Sequence, residues 1–93
     1  MRLEFDPEKR AHTLAARGLD MAACGAVFEG VCLTFPDMRR DYGEGRFITI
    51  GFLARRMVVL VWTQRGQARR IISLRKANER EIALYRPRLD GPG

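Results

Sequence analysis

Histidine occurs once in this chain of 93 residues, at His12, and cysteine only at Cys24 and Cys32. A single histidine excludes acid–base schemes built on two imidazoles. The two cysteines have no CxxC spacing and no neighbouring histidine pair, which excludes the common zinc-ligand patterns. They are expected to be reduced, small buried side chains, as a reducing cytoplasm would keep them. No cluster of Asp and Glu has the convergent spacing of a two-metal nuclease centre, so neither a metal nor a cofactor is expected. No apolar run approaches the roughly 18 residues of a membrane span. The longest, Met57 to Trp62, is the size of a strand, and the charged start Met1-Arg2-Leu3-Glu4-Phe5-Asp6 has no signal-peptide pattern. These absences predict a cytoplasmic protein with no membrane partner.

Lysine is scarce too, although the chain is basic. Of its 17 Lys and Arg residues 15 are arginine, and the formal net charge is +6. The charge is uneven: residues 1–53 carry 7 cations and 8 acids, and residues 54–93 carry 10 cations and 3 acids. Guanidinium groups are planar forks that match phosphate oxygens, and a cationic half points to a polyanion. An arginine-rich solvated surface would give the same count. A hydrophobic fraction of 46% excludes general disorder and suffices for one modest core.

The order of elements follows from local signals. Arg2 to Phe5 reads as a short strand. Asp6 is a good N-cap, Pro7 suits the first helical position and Gly18 a helix C-terminus, which predicts a helix to Arg17. Ala11, Leu14 and Ala15 are spaced as its buried stripe. Asp20 starts a second short helix through Ala22, Ala23, Val27 and Phe28, ending near Gly30. Val31 to Phe35 is a strand closed by Pro36, and 37–45 is a polar loop. In Arg46 to Leu53, Ile48, Ile50 and Phe52 alternate with Phe47, Thr49 and Gly51. Met57 to Thr63 is apolar without alternation, as a central strand covered on both faces would be. Gly66 is free to take positive φ in the next turn. Arg69 to Ser73 is the last strand, and Leu74-Arg75-Lys76-Ala77 reads as a loop before a helix at Glu79. Asn78 and Glu81 form that helix's capping box. Residues 1–85 are expected to form one domain, and 86–93, with two prolines and two glycines, a frayed tail. Short turns between strands force antiparallel neighbours. The expected fold is therefore α+β: a four-stranded antiparallel meander with a short N-terminal strand and helices packed on it. Trp62 and Phe52 belong to its core.

In a regular strand Arg69, Ile71, Ser73 and Arg75 would share one face, offering guanidiniums and a hydroxyl along a phosphate track. Arg46 and Arg80 add to the cations available to a nucleic acid. A metal-free cleavage of RNA would need a base (Lys9, His12 or Tyr85) to take the 2′-OH proton, arginines to stabilise charge on phosphorus, and a second group to protonate the leaving oxygen. Arg65, Arg75 and Lys76 are candidates for the phosphate contact. Each has a plain structural alternative: Lys9 and His12 as solvated helix residues, Arg65 as an exposed hairpin tip, Tyr85 as a packing residue.

Over residues 3–85 the chain resembles the BrnT family of type II toxins. The matching segments are Glu4-Phe5-Asp6 with Lys9, Gly18-Leu19, Asp41-Tyr42-Gly43-Glu44 and Arg46-Phe47-Ile48-Thr49-Ile50-Gly51. Trp62-Thr63-Gln64-Arg65-Gly66 follows, then Arg70-Ile71-Ile72-Ser73-Leu74-Arg75-Lys76-Ala77, with Glu81 and Tyr85 beyond. The resemblance implies a RelE- or barnase-like ribonuclease fold and growth arrest through RNA cleavage. It also implies neutralisation by a BrnA-like ribbon-helix-helix antitoxin that represses the shared operon on operator DNA. It carries Lys9, Arg46, Arg65, Arg75, Lys76 and Tyr85 as site residues. Thr13 stands where the family usually has Asn, and Arg17 where it usually has His, so His12 or Arg17 would have to serve instead. These departures fit a second reading, a catalytically weak co-repressor acting with its antitoxin, and the cationic face fits a third, a DNA-nicking enzyme.

Overall fold

In the computed structural model, which describes residues 2–90, the chain order is β1 (Arg2–Glu4), α1 (Pro7–Arg17), a 3-10 turn (Met21–Ala23) and α2 (Gly25–Glu29). Then come β2 (Leu33–Pro36), β3 (Arg46–Leu53), β4 (Arg56–Arg65), β5 (Ala68–Lys76) and α3 (Glu79–Asp90). All five strands form one sheet in the order β1-β5-β4-β3-β2. From β2 to β5 the pairs are antiparallel, as short turns require, but β1 joins the far edge parallel to β5, with Arg2 opposite Ala68 and Glu4 opposite Arg70. The sheet is thus five-stranded and mixed rather than a four-stranded antiparallel meander. A three-residue strand with two charged residues and one leucine gives no local sign of which edge it will join.

β4 is the centre of the molecule. Every residue from Met57 to Thr63 is buried, as its unbroken apolar run predicts. Val58, Leu60 and Trp62 pack against Leu19, Met21, Cys24 and Val27 from the α1–α2 side. Met57 and Val59 face the other way, toward Ile50 of β3 and Leu89 of α3. Gly51 allows this packing, because a Cβ there would lie 2.8 Å from Val27 Cγ1 and 3.1 Å from the Cβ of Cys32. The buried Trp62 indole donates to Thr49 Oγ1 at 2.8 Å, and that hydroxyl also meets Thr34 Oγ1 at 2.8 Å, so the polar atoms in this wall are paired. Both cysteines are free thiols; Cys24 is fully buried and Cys32 only half-buried. Desolvation pushes the Cys24 thiol up to about 12, which keeps it protonated and inert.

The caps follow the sequence closely. Asp6 accepts from the Glu8 amide, and Gly18 ends α1 in the left-handed region at φ 69°. Asn78 and Glu81 exchange hydrogen bonds of 2.8 and 2.9 Å at the start of α3. Three expectations are corrected. β5 continues through Leu74, Arg75 and Lys76, because Leu74 pairs with Leu60 in the core. α3 continues through Pro87 to Asp90, so Arg86–Asp90 are helical, while residues 91–93 lie outside the described part. Buried Leu89 anchors this last turn against the loss of a backbone donor at Pro87. Finally, Ala11, Leu14 and Ala15 of α1 are exposed and Thr13 is buried. α1 is oriented by polar anchors instead: Arg10 grips Asp20 bidentately at 2.7 and 3.0 Å, and Arg17 donates to the Leu74 carbonyl at 2.7 Å.

The β3–β4 hairpin turns on Ala54 and Arg55, both at positive φ (50° and 68°). Side chains with a Cβ are strained there, and a two-residue turn of this kind favours Asn-Gly. The double change Ala54→Asn, Arg55→Gly should stabilise the fold by about 1 kcal/mol and raise Tm by roughly 4–8 °C. A lower Tm in thermal melting would mean that Ala54 or Arg55 makes a contact worth more than the strain.

Candidate functional site

Strand β5 carries one residue more than β4 over the same length: Val61 pairs with Ser73 and Trp62 with Ile71, leaving Ile72 as a bulge. The bulge breaks the expected common face of Arg69, Ile71, Ser73 and Arg75. Arg69 and Ile71 lie on the α1–α2 side with Leu74. Ser73 and Arg75 open onto the α3 side. β1 covers β5 only as far as Arg70, so the edge at Ile72 and Ser73 has no strand beside it. α1 lies against this edge.

Two clefts meet at Ser73. The first, of about 550 Å³, runs between α1 and β5 and is lined by Lys9, His12, Thr13, Arg17, Ile72 and Ser73, with Asp6, Glu8 and Met21 at its margins. Lys9, His12, Thr13 and Arg17 stand at helical spacings of three and four, which puts them on one face of α1. Thr13 is buried at the base, while Lys9, His12 and Arg17 are exposed. The Arg17 guanidinium is fixed by its bond to Leu74 O and keeps further N–H groups for a ligand.

The second cleft, of about 250 Å³, lies between the sheet and α3, where Ser73 and Arg75 face Arg39, Glu81 and Tyr85. Glu81 takes Arg75 in a bidentate pair, 2.8 Å on each arm, and caps α3 at the same time. The Arg75 guanidinium, with the Asn78 amide, holds the Glu81 carboxyl down at about 2. Arg39 is held bidentately by the buried carboxylate of Asp37, at 2.8 and 2.7 Å. That guanidinium keeps Asp37 well below the usual carboxylate range. Tyr85 is half-buried and stacks on Phe35, with ring centroids 6.2 Å apart.

The remaining sequence candidates lie elsewhere. Arg65 sits at the β4–β5 hairpin, 3.6 Å from Glu44, which also pairs with Arg46 at 3.3 Å. Arg46 lies over the Tyr42 ring at 4.1 Å. Arg69 covers Phe28 at 3.9 Å and Trp62 at 5.1 Å, and its buried Nε has no hydrogen-bond partner. Lys76 ends β5 opposite Val58, on the face away from Arg75. Arg80 is exposed on α3. The structure therefore unites Lys9 with His12, Arg75 with Tyr85 and, through Glu44, Arg46 with Arg65, and it separates Arg69, Lys76 and Arg80 from these pairs. Arg39 was missing from the sequence candidates and has no local signal, since it reaches the cleft from a loop; Ser73, expected on one face with Arg69, is instead brought by the bulge to the junction of the two clefts. Among the described residues no group of three or more His, Cys, Asp or Glu side chains is placed to hold a metal ion. No helix there is long and apolar enough to cross a membrane.

Against family models, residues 5–81 match the model described as the ribonuclease toxin BrnT of a type II toxin–antitoxin system. The chain belongs to the BrnT family. The match spans every element from α1 to the first turn of α3, and so contains both sides of the α1–β5 cleft and the Arg75–Glu81 pair. As a BrnT protein the chain is a ribonuclease toxin of a type II system, whose partner is an antitoxin. A comparison with curated proteins finds no match.

The Arg75–Glu81 pair has a pH signature. Glu81 falls from an ordinary value of 4.5 to about 2 in the fold, so its contribution is present above the unfolded value and is lost as pH falls toward about 2. Asp20, also held at about 2 by Arg10, acts in the same window. Glu81→Gln should lower stability at neutral pH and flatten the loss of stability between these values, leaving the part due to Asp20 and to Asp37, which Arg39 also depresses. An unchanged acid limb in urea titrations of this variant would mean that the pair adds nothing to stability.

Proposed function

We propose that this BrnT protein is a metal-independent endoribonuclease whose proton transfers take place in the α1–β5 cleft. The observation that carries the reading is the convergence of its one histidine, Lys9 and Arg17 on a single face of α1, opposite the open β5 edge at Ser73. Such a cleft provides a proton acceptor, a proton donor and a fixed guanidinium. His12 takes the 2′-OH proton as that oxygen bonds to phosphorus. The P–O5′ bond breaks, Lys9 protonates the leaving 5′-oxygen, and Arg17 donates to the phosphorane oxygens. The products are a 2′,3′-cyclic phosphate and a free 5′-OH. Arg39, Arg75 and Tyr85, across Ser73, hold the neighbouring stretch of RNA. Arg46, Arg65, Arg69 and Arg80 lie away from this cleft and take no part in the chemistry.

The partner is a BrnA-like ribbon-helix-helix antitoxin that blocks the toxin in the cytoplasm and represses the shared operon on DNA. Leu14 (44% exposed) on the outer face of α1 and Val31 (65% exposed) before β2 provide apolar surface for it. A stable complex would bury about 1,200–2,000 Å² in total. Co-expression with the adjacent reading frame should yield a complex that survives high salt; separate elution at moderate salt would count against the pairing.

His12→Ala should slow RNA cleavage about 10²–10⁴-fold, the range of a lost general base. Arg17→Ala should cost about 10²–10³-fold, as removal of one oxyanion donor does. Both should relieve growth arrest with Tm nearly unchanged for His12→Ala. Excess chelator should have no effect, and a 2′-deoxy sugar at the cut site should abolish cleavage. Full activity in His12→Ala and Lys9→Ala would place the active site elsewhere, and undiminished cutting of the deoxy substrate would favour the DNA-nicking reading.

A further inference from the structure

Seven of the 15 arginines are neutralised in place. Arg10, Arg39, Arg46, Arg65, Arg70, Arg75 and Arg86 each pair with a carboxylate within 4 Å. The cations at the β3–β4 hairpin end of the sheet are different. Arg55, Arg56 and Lys76 are all exposed, and none has a carboxylate partner among the described residues.

Their placement follows from the strand register. Val58 is opposite Lys76, and Arg56 precedes Val58 by two residues, so Arg56 and Lys76 share the α1–α2 face as diagonal neighbours. Diagonal pairs are about 7–8 Å apart, within the span of long side chains. Leu74, two residues before Lys76, supplies the carbonyl that holds Arg17. Gly18, next to Arg17, lines one recess of about 360 Å³ with Leu19, Asp20, Ala54 and Arg56. The acid in that recess, Asp20, is already matched bidentately by Arg10. Arg55 stands at the tip, on a backbone at φ 68° that a glycine would hold at lower cost.

We infer that Lys76, Arg56 and Arg55 form a phosphate-binding track for single-stranded RNA, leading from Arg17 at the mouth of the α1–β5 cleft to the hairpin tip. Unpaired cations in a row beside a cleft that already offers Arg17 suit successive phosphates of one strand. No aromatic ring lines the recess beside Arg56, so the track would hold the backbone and add no base preference. It would make the toxin favour RNA that extends beyond the scissile step on one side. The inference takes its ligand from the ribonuclease reading above, but its test does not depend on cleavage.

The test is equilibrium binding of an all-2′-O-methyl single-stranded oligonucleotide, which has no free 2′-OH to attack, over a range of salt concentrations. It uses the full chain, the double variant Arg55→Ala, Arg56→Ala, and Arg88→Ala as a control of charge on α3, on the other face of the sheet. Each phosphate contact on a single strand contributes about 0.7 to the slope of log affinity against log salt. The double variant should lower that slope by about 1.4, so that between roughly 50 and 200 mM salt it loses about sevenfold less affinity than the full chain. Arg88→Ala should leave the slope where it is. An unchanged slope in the double variant would overturn the track, as would an equal drop in Arg88→Ala, which would mean diffuse charge. A wild-type slope together with loss of antitoxin binding would also overturn it, and assign the patch to an acidic protein surface. If the protein binds as expected yet cuts no RNA, the ribonuclease reading fails and the track stands.

Discussion

Ile72 has no partner on β4, and side chains alternate along a strand, so every residue after it is turned to the face opposite the one a regular strand would give. The packing on both sides of the sheet depends on that half-turn. With it, Ile71 and Leu74, three apart, both enter the core under α1 and α2, and Arg75 faces Glu81 on α3. In a regular strand Leu74 would point to the α3 side. Arg75 would then be driven toward the apolar layer beside Leu60, where an unpaired guanidinium is costly. Because β1 stops opposite Arg70, Ser73 also lies at an uncovered edge, and two clefts lined from opposite sides of the sheet share it.

Around that edge the protein uses charge in two ways. Bidentate pairs fix geometry: Arg10–Asp20 ties α1 to the turn after it, Arg39–Asp37 shapes the β2–β3 loop, and Arg75–Glu81 joins β5 to α3. Pairs of this kind position elements even where their net contribution to stability is small. Among the cations without a carboxylate partner, Lys9 and Arg17 lie on α1 and Arg55, Arg56 and Lys76 at the sheet end beside it, whereas Arg69 is stacked over Phe28 and Trp62 and Arg80 and Arg88 are exposed on α3.

Cap residues and the apolar run were legible in the sequence, whereas the spacing of Ala11, Leu14 and Ala15 pointed to the wrong face of α1. Asp6-Pro7 and Gly18 set the ends of α1, Asn78 with Glu81 starts α3, and the unbroken apolar run of β4 marks the middle of the sheet. What escaped depends on distant partners. β1 finds its neighbour more than sixty residues away, at Ala68 to Arg70. Leu74 to Lys76 look like a loop because only the pairing with β4 makes them strand. Pro87 and its neighbours read as a tail because nothing local shows that Leu89 is buried. For the site, Lys9 and His12 are close in sequence as well as in space, so their association was legible. Tyr85 was expected beside them and instead lies across Ser73, on the other side of a sheet whose bulge has no sequence signature.

The parallel pairing of β1 with β5 has a consequence during synthesis. The strand made first pairs with Ala68 to Arg70, the cleft beside α1 needs Ile72 and Ser73, and Arg17 is fixed only when Leu74 offers its carbonyl. Chains emerge from the ribosome N-terminus first, at about 5–20 residues per second, and non-local strand pairing is among the slower steps of folding. Lys9 and His12 are therefore made early but have no opposite wall until the final quarter of the chain has emerged. A nascent or prematurely terminated chain that stops before β5 carries these side chains on an isolated helix, with no cleft to place them in.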